Sequence, residues 1–175
     1  MSIAFMAVTT SSMAQSLNKM NWLNEPQQWE IKDGKTLVMD VPAKTDFWRI
    51  SHYGFTVDDG PFYYATYGGE FEAKVKITGN YVTTFDQMGL MLRIDHENWI
   101  KAVRRLDAVE IFFSRDDKEY IMMRTCWLQD NCPVMVGLMG ACPDGKGFTA
   151  TFEEFKVTPL ADQRRLEWAK RQMNK

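Results

Sequence analysis

Met88, Leu90, Leu92 and Ile94 alternate with Gln87, Gly89, Met91 and Arg93, so one face of this stretch is apolar and the other ends in charge. A period of two is the signature of a β-strand, and the charged end is expected to lie on an open side of its sheet. Asp95-His96-Glu97-Asn98 then reads as a short polar turn into a second strand at Trp99-Ile100-Lys101. The same alternation recurs along the chain. Phe71, Ala73, Val75 and Ile77 are expected to point inward from a strand whose Glu70, Glu72, Lys74 and Lys76 face water. Val109, Ile111 and Phe113 repeat the pattern, and the polar run 114–118 turns the chain into a further strand at 119–127. Residues 134–141 are apolar at both parities, which predicts a central strand covered on both faces.

Two local signals refine this picture. Asp33-Gly34 lies between apolar runs at 29–31 and 35–39, and this dipeptide supplies the positive φ angles of a type I′ hairpin. Phe148, Ala150 and Phe152 share one parity whereas Phe155 and Val157 share the other, so a β-bulge at Glu153-Glu154 is needed to keep both sets pointing inward. After Pro159, Leu166, Ala169 and Met173 form a narrow helical stripe, with Glu167 and Arg171 at i,i+4. The pattern as a whole predicts an all-β fold: one antiparallel β-sandwich at 21–158, a leader at 1–20, and a short C-terminal helix or tail at 159–175.

Composition adds mainly exclusions. With 175 residues and 45% hydrophobic content the chain can bury one ordinary domain. A net charge of -2, with acids and bases intermixed, offers no basic field for nucleic acid or for an anionic membrane. Cys126, Cys132 and Cys142 form an odd set without a C-x-x-C pair, and no Asn-x-Ser/Thr sequon occurs, so a cytoplasmic, reducing setting is expected. The apolar run Ile3–Val8 is shorter than the ~7–15 residues of a secretory core and precedes, instead of following, the first positive charge, Lys19. A disordered leader is the expectation for 1–20, with Met6, Met13 or Met20 as an alternative start.

No reaction is spelled out by the motifs. Gly140-Ala141-Cys142-Pro143-Asp144-Gly145-Lys146 has the letters of a P-loop, but Gly147 stands where Ser or Thr is needed and a strand pattern follows instead of a helix. His52 and His96 have no metal-site spacing, and Asp58-Asp59 and Asp116-Asp117 read as turns, so neither metal nor cofactor is expected. The three cysteines lie in or beside apolar strands and read as inert core thiols. Between Phe47 and Tyr67, eight aromatic residues occur among Arg49, His52, Asp58 and Asp59. Such rings either stack on a ligand, with Arg and His orienting its polar groups, or plug one end of the sandwich as core.

The ordered set Lys44-Thr45-Asp46-Phe47-Trp48-Arg49, Tyr53-Gly54-Phe55, Gly68-Gly69-Glu70-Phe71, Asp86–Met91, Asn98-Trp99-Ile100-Lys101 and Pro133–Gly137 resembles the regulation-of-enolase-like family. The resemblance spans roughly 20–157 and implies a concanavalin A-like jelly-roll sandwich, the architecture of lectins and glucanases. It carries over no catalytic residues. In that family further strands separate the Asn-Trp-x-Lys segment from the Arg-Arg-x-Asp-Ala-x-Glu-Ile segment. Here Ala102-Val103 joins Lys101 directly to Arg104. The resemblance therefore implies an internal shortening of about three or four strands, which would expose a sheet edge or merge 98–105 into one strand.

Three functions are open at this point. A non-catalytic binding domain would recognise a carbohydrate or small metabolite through Trp48, Arg49, His52, Tyr53, Tyr63, Tyr64, Arg93 and Trp99. A cytosolic regulatory protein would bind a metabolic enzyme such as enolase, as the resemblance implies. A glycoside hydrolase would need paired carboxylates across a cleft, for which the sequence offers only Glu70 and Glu72 on one strand face.

Overall fold

The computed structural model describes residues 17–50, 54–100, 103–105, 108–129, 132–160 and 172. A 3₁₀ turn at Leu17–Lys19 precedes β1 (Asn21–Leu23), β2 (Trp29–Lys32), β3 (Thr36–Val41), β4 (Phe47–Arg49), β5 (Thr56–Asp58), β6 (Phe62–Tyr67) and β7 (Phe71–Gly79). The chain continues through β8 (Gln87–Arg93), β9 (Trp99–Ile100), β10 (Val103–Arg105), β11 (Ala108–Phe113), β12 (Ile121–Trp127), β13 (Val134–Ala141) and β14 (Phe148–Pro159). Two antiparallel sheets face each other. One has the order β1-β6-β13-β8-β9 and the other β12-β11-β10-β7-β14-β3-β2, while β4 and β5 pair as a separate hairpin.

The period-two pattern decides which side chains meet between the sheets. Tyr63, Leu92, Val136 and Leu138 of the five-stranded sheet pack there with Leu37, Met39, Phe71, Val109, Phe152 and Val157 of the seven-stranded sheet. Their alternate neighbours Phe62, Met91, Met139 and Ala141 form a second core with Phe47 on the outer side of the five-stranded sheet. β13 lies between β6 and β8 and contributes to both cores, so its uninterrupted apolar run has a physical cause.

The turn and bulge are where the sequence places them. Asp33 (φ 53) and Gly34 (φ 66) both adopt left-handed backbone, and Lys35 N–H donates to Lys32 O at 3.1 Å, closing a two-residue hairpin turn. Glu154 has φ 56, and between Glu153 and Lys156 the register of β14 on β7 shifts, which brings Phe155 and Val157 into the core. The Asp116-Asp117 turn also forms, with Asp116 accepting from the N–H groups of Lys118 and Glu119.

Other expectations need correction. Leu17 and Met20 are buried in the core, so packed structure extends into the segment read as a disordered leader. Ile77 is 38% exposed, because the end of β7 runs past the opposing sheet, and Phe113 is exposed for the same reason. The side of β8 that carries Arg93 is covered: Arg93 is only 5% exposed. Residues 98–105 do not merge into one strand, since β9 pairs in the five-stranded sheet and β10 in the seven-stranded one. Cys142 alone is a core thiol, Cys126 and Cys132 being half-buried. The expected C-terminal helix falls outside the described residues, which support no α-helical element.

β13 approaches β6 unusually closely at Gly137. A Cβ added there would overlap the Tyr63 carbonyl oxygen and lie 2.7 Å from Tyr64 Cα, both backbone atoms that no rotamer change can move. Gly137→Ala is therefore expected to destabilise the domain by at least about 2 kcal/mol, read as a lower urea midpoint at unchanged m-value.

Candidate functional site

The outer side of the five-stranded sheet presents two rows of side chains whose order follows from strand register. Trp99, Arg93, Met135 and Thr66 are consecutive partners across β9, β8, β13 and β6. In the next row Met91, Gly137 and Tyr64 are partners across β8, β13 and β6. Because Gly137 has no side chain, the floor is indented between Met91 and Tyr64. Phe62 stacks beside Tyr64, with ring centroids 5.2 Å apart.

The β4–β5 hairpin closes one side of this floor. Phe47 enters the second core and meets Trp99 edge-on at 6.3 Å. Across from Phe47 in the hairpin lies Asp58, whose carboxylate receives both Arg93 guanidinium N–H groups at 2.5 and 2.7 Å. This fork-on-carboxylate geometry is the strongest pairing that Arg makes, and here it neutralises a buried cation. Asn24 fixes the base of the hairpin by donating to Asp58 O at 2.9 Å and Gly60 O at 3.0 Å. Asp46 N–H donates to Asp59 Oδ1 at 2.8 Å.

A second ion pair, Arg49 with Glu97, ties the hairpin to the β8–β9 turn. That turn is built on Asp95, which accepts from the N–H groups of Glu97 (2.7 Å) and Asn98 (2.8 Å); these bonds hold its carboxyl below the usual carboxylate range. At the hairpin tip Trp48 packs on the exposed Phe55 at 5.9 Å. Ile50 adopts φ 51 although it is β-branched, a conformation that costs about 1–2 kcal/mol.

Of the predicted site residues, Arg49, Tyr64, Arg93 and Trp99 converge on this side of the sheet, with Trp48 on the adjoining hairpin. Tyr63 does not belong to the site. Its parity turns it into the inter-sheet core, where its ring lies 4.6 Å from Trp22, its hydroxyl donates to Leu17 O, and burial pushes its pKa up. His52 and Tyr53 lie outside the described residues. Asp58 is the residue that sequence reading missed, having been placed in a turn. The usable signal was Arg93 itself, because a guanidinium on a covered strand face requires a carboxylate partner.

The P-loop letters meet no phosphate-binding geometry, since the turn after β13 leads into strand β14 and not into a helix. An open groove of about 610 Å³ lies beside that turn and includes Asp40, Lys146 and Thr149. Thr149 donates to Asp40 at 2.7 Å, so these polar groups satisfy one another. No group of three or more His, Cys, Asp or Glu side chains able to hold a metal occurs among the described residues.

Residues 22–104 and 101–160 match the family described as "Protein of unknown function (DUF1349)". The chain belongs to the DUF1349 family. It is 28% identical over 180 aligned positions to "Regulation of enolase protein 1" of Saccharomyces cerevisiae, covering 81% of this chain and 90% of that protein. A crystal structure titled as a functionally unknown protein from Saccharomyces cerevisiae superposes with a TM-score of 0.78 at 26% identity, covering 84% of this chain and all of the other. The aligned length exceeds the 175 residues of this DUF1349 chain although only 81% of it is aligned, so the yeast relative carries residues absent here. The family match divides at 101–104, where the chain crosses from β9 to β10.

The Arg93–Asp58 pair generates one prediction. Asp58→Asn leaves the guanidinium buried without its charge partner and is expected to cost about 3 kcal/mol in urea unfolding, whereas the double variant Arg93→Leu/Asp58→Leu is expected to fall near the parent. A second prediction concerns Asp86, which anchors the start of β8. Burial opposes its ionisation, but the Thr83 hydroxyl, the Cys142 thiol and the N–H groups of Thr83 and Val82 outweigh it and hold its pKa at about 2, against 3.8 ordinarily. A depressed folded-state pKa gives stability that is complete above the unfolded value and is lost as pH falls from about 4 towards 2. Asp86→Asn is expected to flatten that limb of a stability–pH profile.

Proposed function

We propose that this chain is a non-catalytic binding domain that takes a small, neutral, polyhydroxylated ligand, with carbohydrate as the class, on the outer side of the five-stranded sheet. One observation carries this reading: both arginines of the site are matched to carboxylates, Arg93 to Asp58 and Arg49 to Glu97. An anionic ligand would have to displace a carboxylate already in place. A neutral polyol can instead accept from guanidinium edges, donate to carboxylates and lay its C–H faces on Trp99 and Tyr64. The two-sheet architecture is consistent with a concanavalin A-like jelly roll, in which such a role is familiar.

The carboxylates are engaged in ion pairs and turn closure, which favours binding over hydrolysis. Glu72, on the solvent side of the other sheet, is exposed. A cytoplasmic location accords with Cys126, Cys132 and Cys142 being free thiols. No described helix is long and apolar enough to cross a membrane.

A second reading is favoured by the printed name of the yeast relative: a regulatory protein that binds a metabolic enzyme such as enolase. Purified enolase co-sedimenting with the chain would support it.

Titration calorimetry against neutral and anionic saccharides separates the outcomes. Neutral sugars are expected to bind, and Trp99→Ala or Tyr64→Ala to weaken that binding by about tenfold or more. Binding confined to uronic acids or sugar phosphates, or unchanged in both variants, would sink the carbohydrate reading.

A further inference from the structure

The seven-stranded sheet extends further than the sheet that covers it. The five-stranded sheet ends at the two-residue β9, and opposite this gap the β11–β12 hairpin projects without a partner layer among the described residues. Ile121, Met123 and Trp127 are 68, 67 and 65% exposed, and Phe113 and Met122 are about half exposed. An apolar patch of this extent on a domain edge calls for an occupant. The register places Phe113 opposite Ile121 and on the same face as Val109 and Ile111, so the uncovered surface continues the inter-sheet core outward.

We propose that the chain's own residues 161–175 lie across the core-facing side of β11–β12, with Leu166, Ala169 and Met173 seated on Phe113 and Ile121. Three observations single out this occupant. The first is where the described chain ends. Pro159 pairs with Phe71, Phe71 with Arg104, Arg104 with Val109 and Val109 with Cys126, so the segment leaves the sheet in the same row as β11 and β12. Leu160 N–H donates to Glu70 O at 2.9 Å and fixes that exit.

The second is reach. Four inter-strand steps separate β14 from β12, about 19 Å at the usual strand spacing. Residues 161–175 span about 22 Å as a helix and more if extended.

The third is charge. The segment carries Arg164, Arg165, Lys170, Arg171 and Lys175 against only Asp162 and Glu167. At its exit, Glu70 has a buried carboxylate oxygen without a hydrogen-bond partner among the described residues, and Glu72, Glu110 and Glu119 lie on or beside the strands it would cross. A second copy fits less well, because a two-fold edge pairing centred on β12 sets Arg124 against its own copy. The segment would thus stand in for strands that the longer relative has and this chain lacks.

Hydrogen exchange followed by mass spectrometry on the full chain tests this, comparing the parent with Leu166→Asp/Met173→Asp. In the variant, amides at 112–113 and 121–123 are expected to exchange about tenfold faster, with β13 unchanged as the internal control for folding. The conservative variant Leu166→Met/Met173→Leu is expected to retain parental protection. Equal exchange in parent and acidic variant would overturn the proposal. So would protection that disappears on dilution together with a drop from dimer to monomer mass, since the occupant would then be a second copy.

Discussion

β13 cannot be solvated on either side. Its residues Val134, Val136 and Leu138 belong to the inter-sheet core, while Met139 and Ala141 belong to a core on the opposite face. A sandwich normally leaves the outer face of each sheet to water, so this strand imposes an extra requirement: something must cover it from outside. The β4–β5 hairpin meets that requirement by inserting Phe47. Much of the candidate site follows from this. Once Phe47 is seated, its cross-strand partner Asp58 is carried to Arg93, and Arg49 at the other end of β4 reaches Glu97. The ion pairs are therefore consequences of apolar burial, since a buried pair alone is weak as a source of stability.

Parity was the part of this arrangement legible in the sequence. The inward residues of β3, β8, β13 and the start of β7 are where alternation puts them, and the phase change in β14 required a bulge that Glu154 provides. What alternation cannot say is where an opposing layer stops, and so Ile77 and Phe113 carry inward parity yet meet water. Nor does it say what lies above a strand's second face. Arg93 was read towards an open side, and its burial depends on a hairpin some 35 residues earlier in the chain. Tyr63 and Tyr64 illustrate the same limit at one-residue resolution: adjacent aromatics in a strand go to opposite faces, so an aromatic-rich segment contributes to core and candidate site in alternation.

The crossing between β9 and β10 explains the asymmetry of the molecule. A strand that ends in one sheet and resumes two residues later in the other leaves no chain to extend the first sheet, and β9 contributes only Trp99 and Ile100 to it. The same interval divides the family match, and the yeast relative aligns over more positions than this chain has residues. Relatives thus keep the two-sheet framework while differing in how far one sheet reaches.

Shortening at this interval affects the two faces of the five-stranded sheet differently. On the inner side, loss of covering strands leaves β11 and β12 overhanging, a deficit of buried apolar surface. On the outer side, Trp99 remains paired to Arg93 and packed on Phe47, so the edge of the candidate site is retained by contacts from the hairpin and not by strands further along the sheet. The site's geometry depends on β6, β8, β13 and the hairpin, all of which lie on the intact side of the crossing. A binding face held in this way can survive changes in sheet width that alter the exposed edge, which separates what fixes ligand recognition from what governs the solubility and association of the domain.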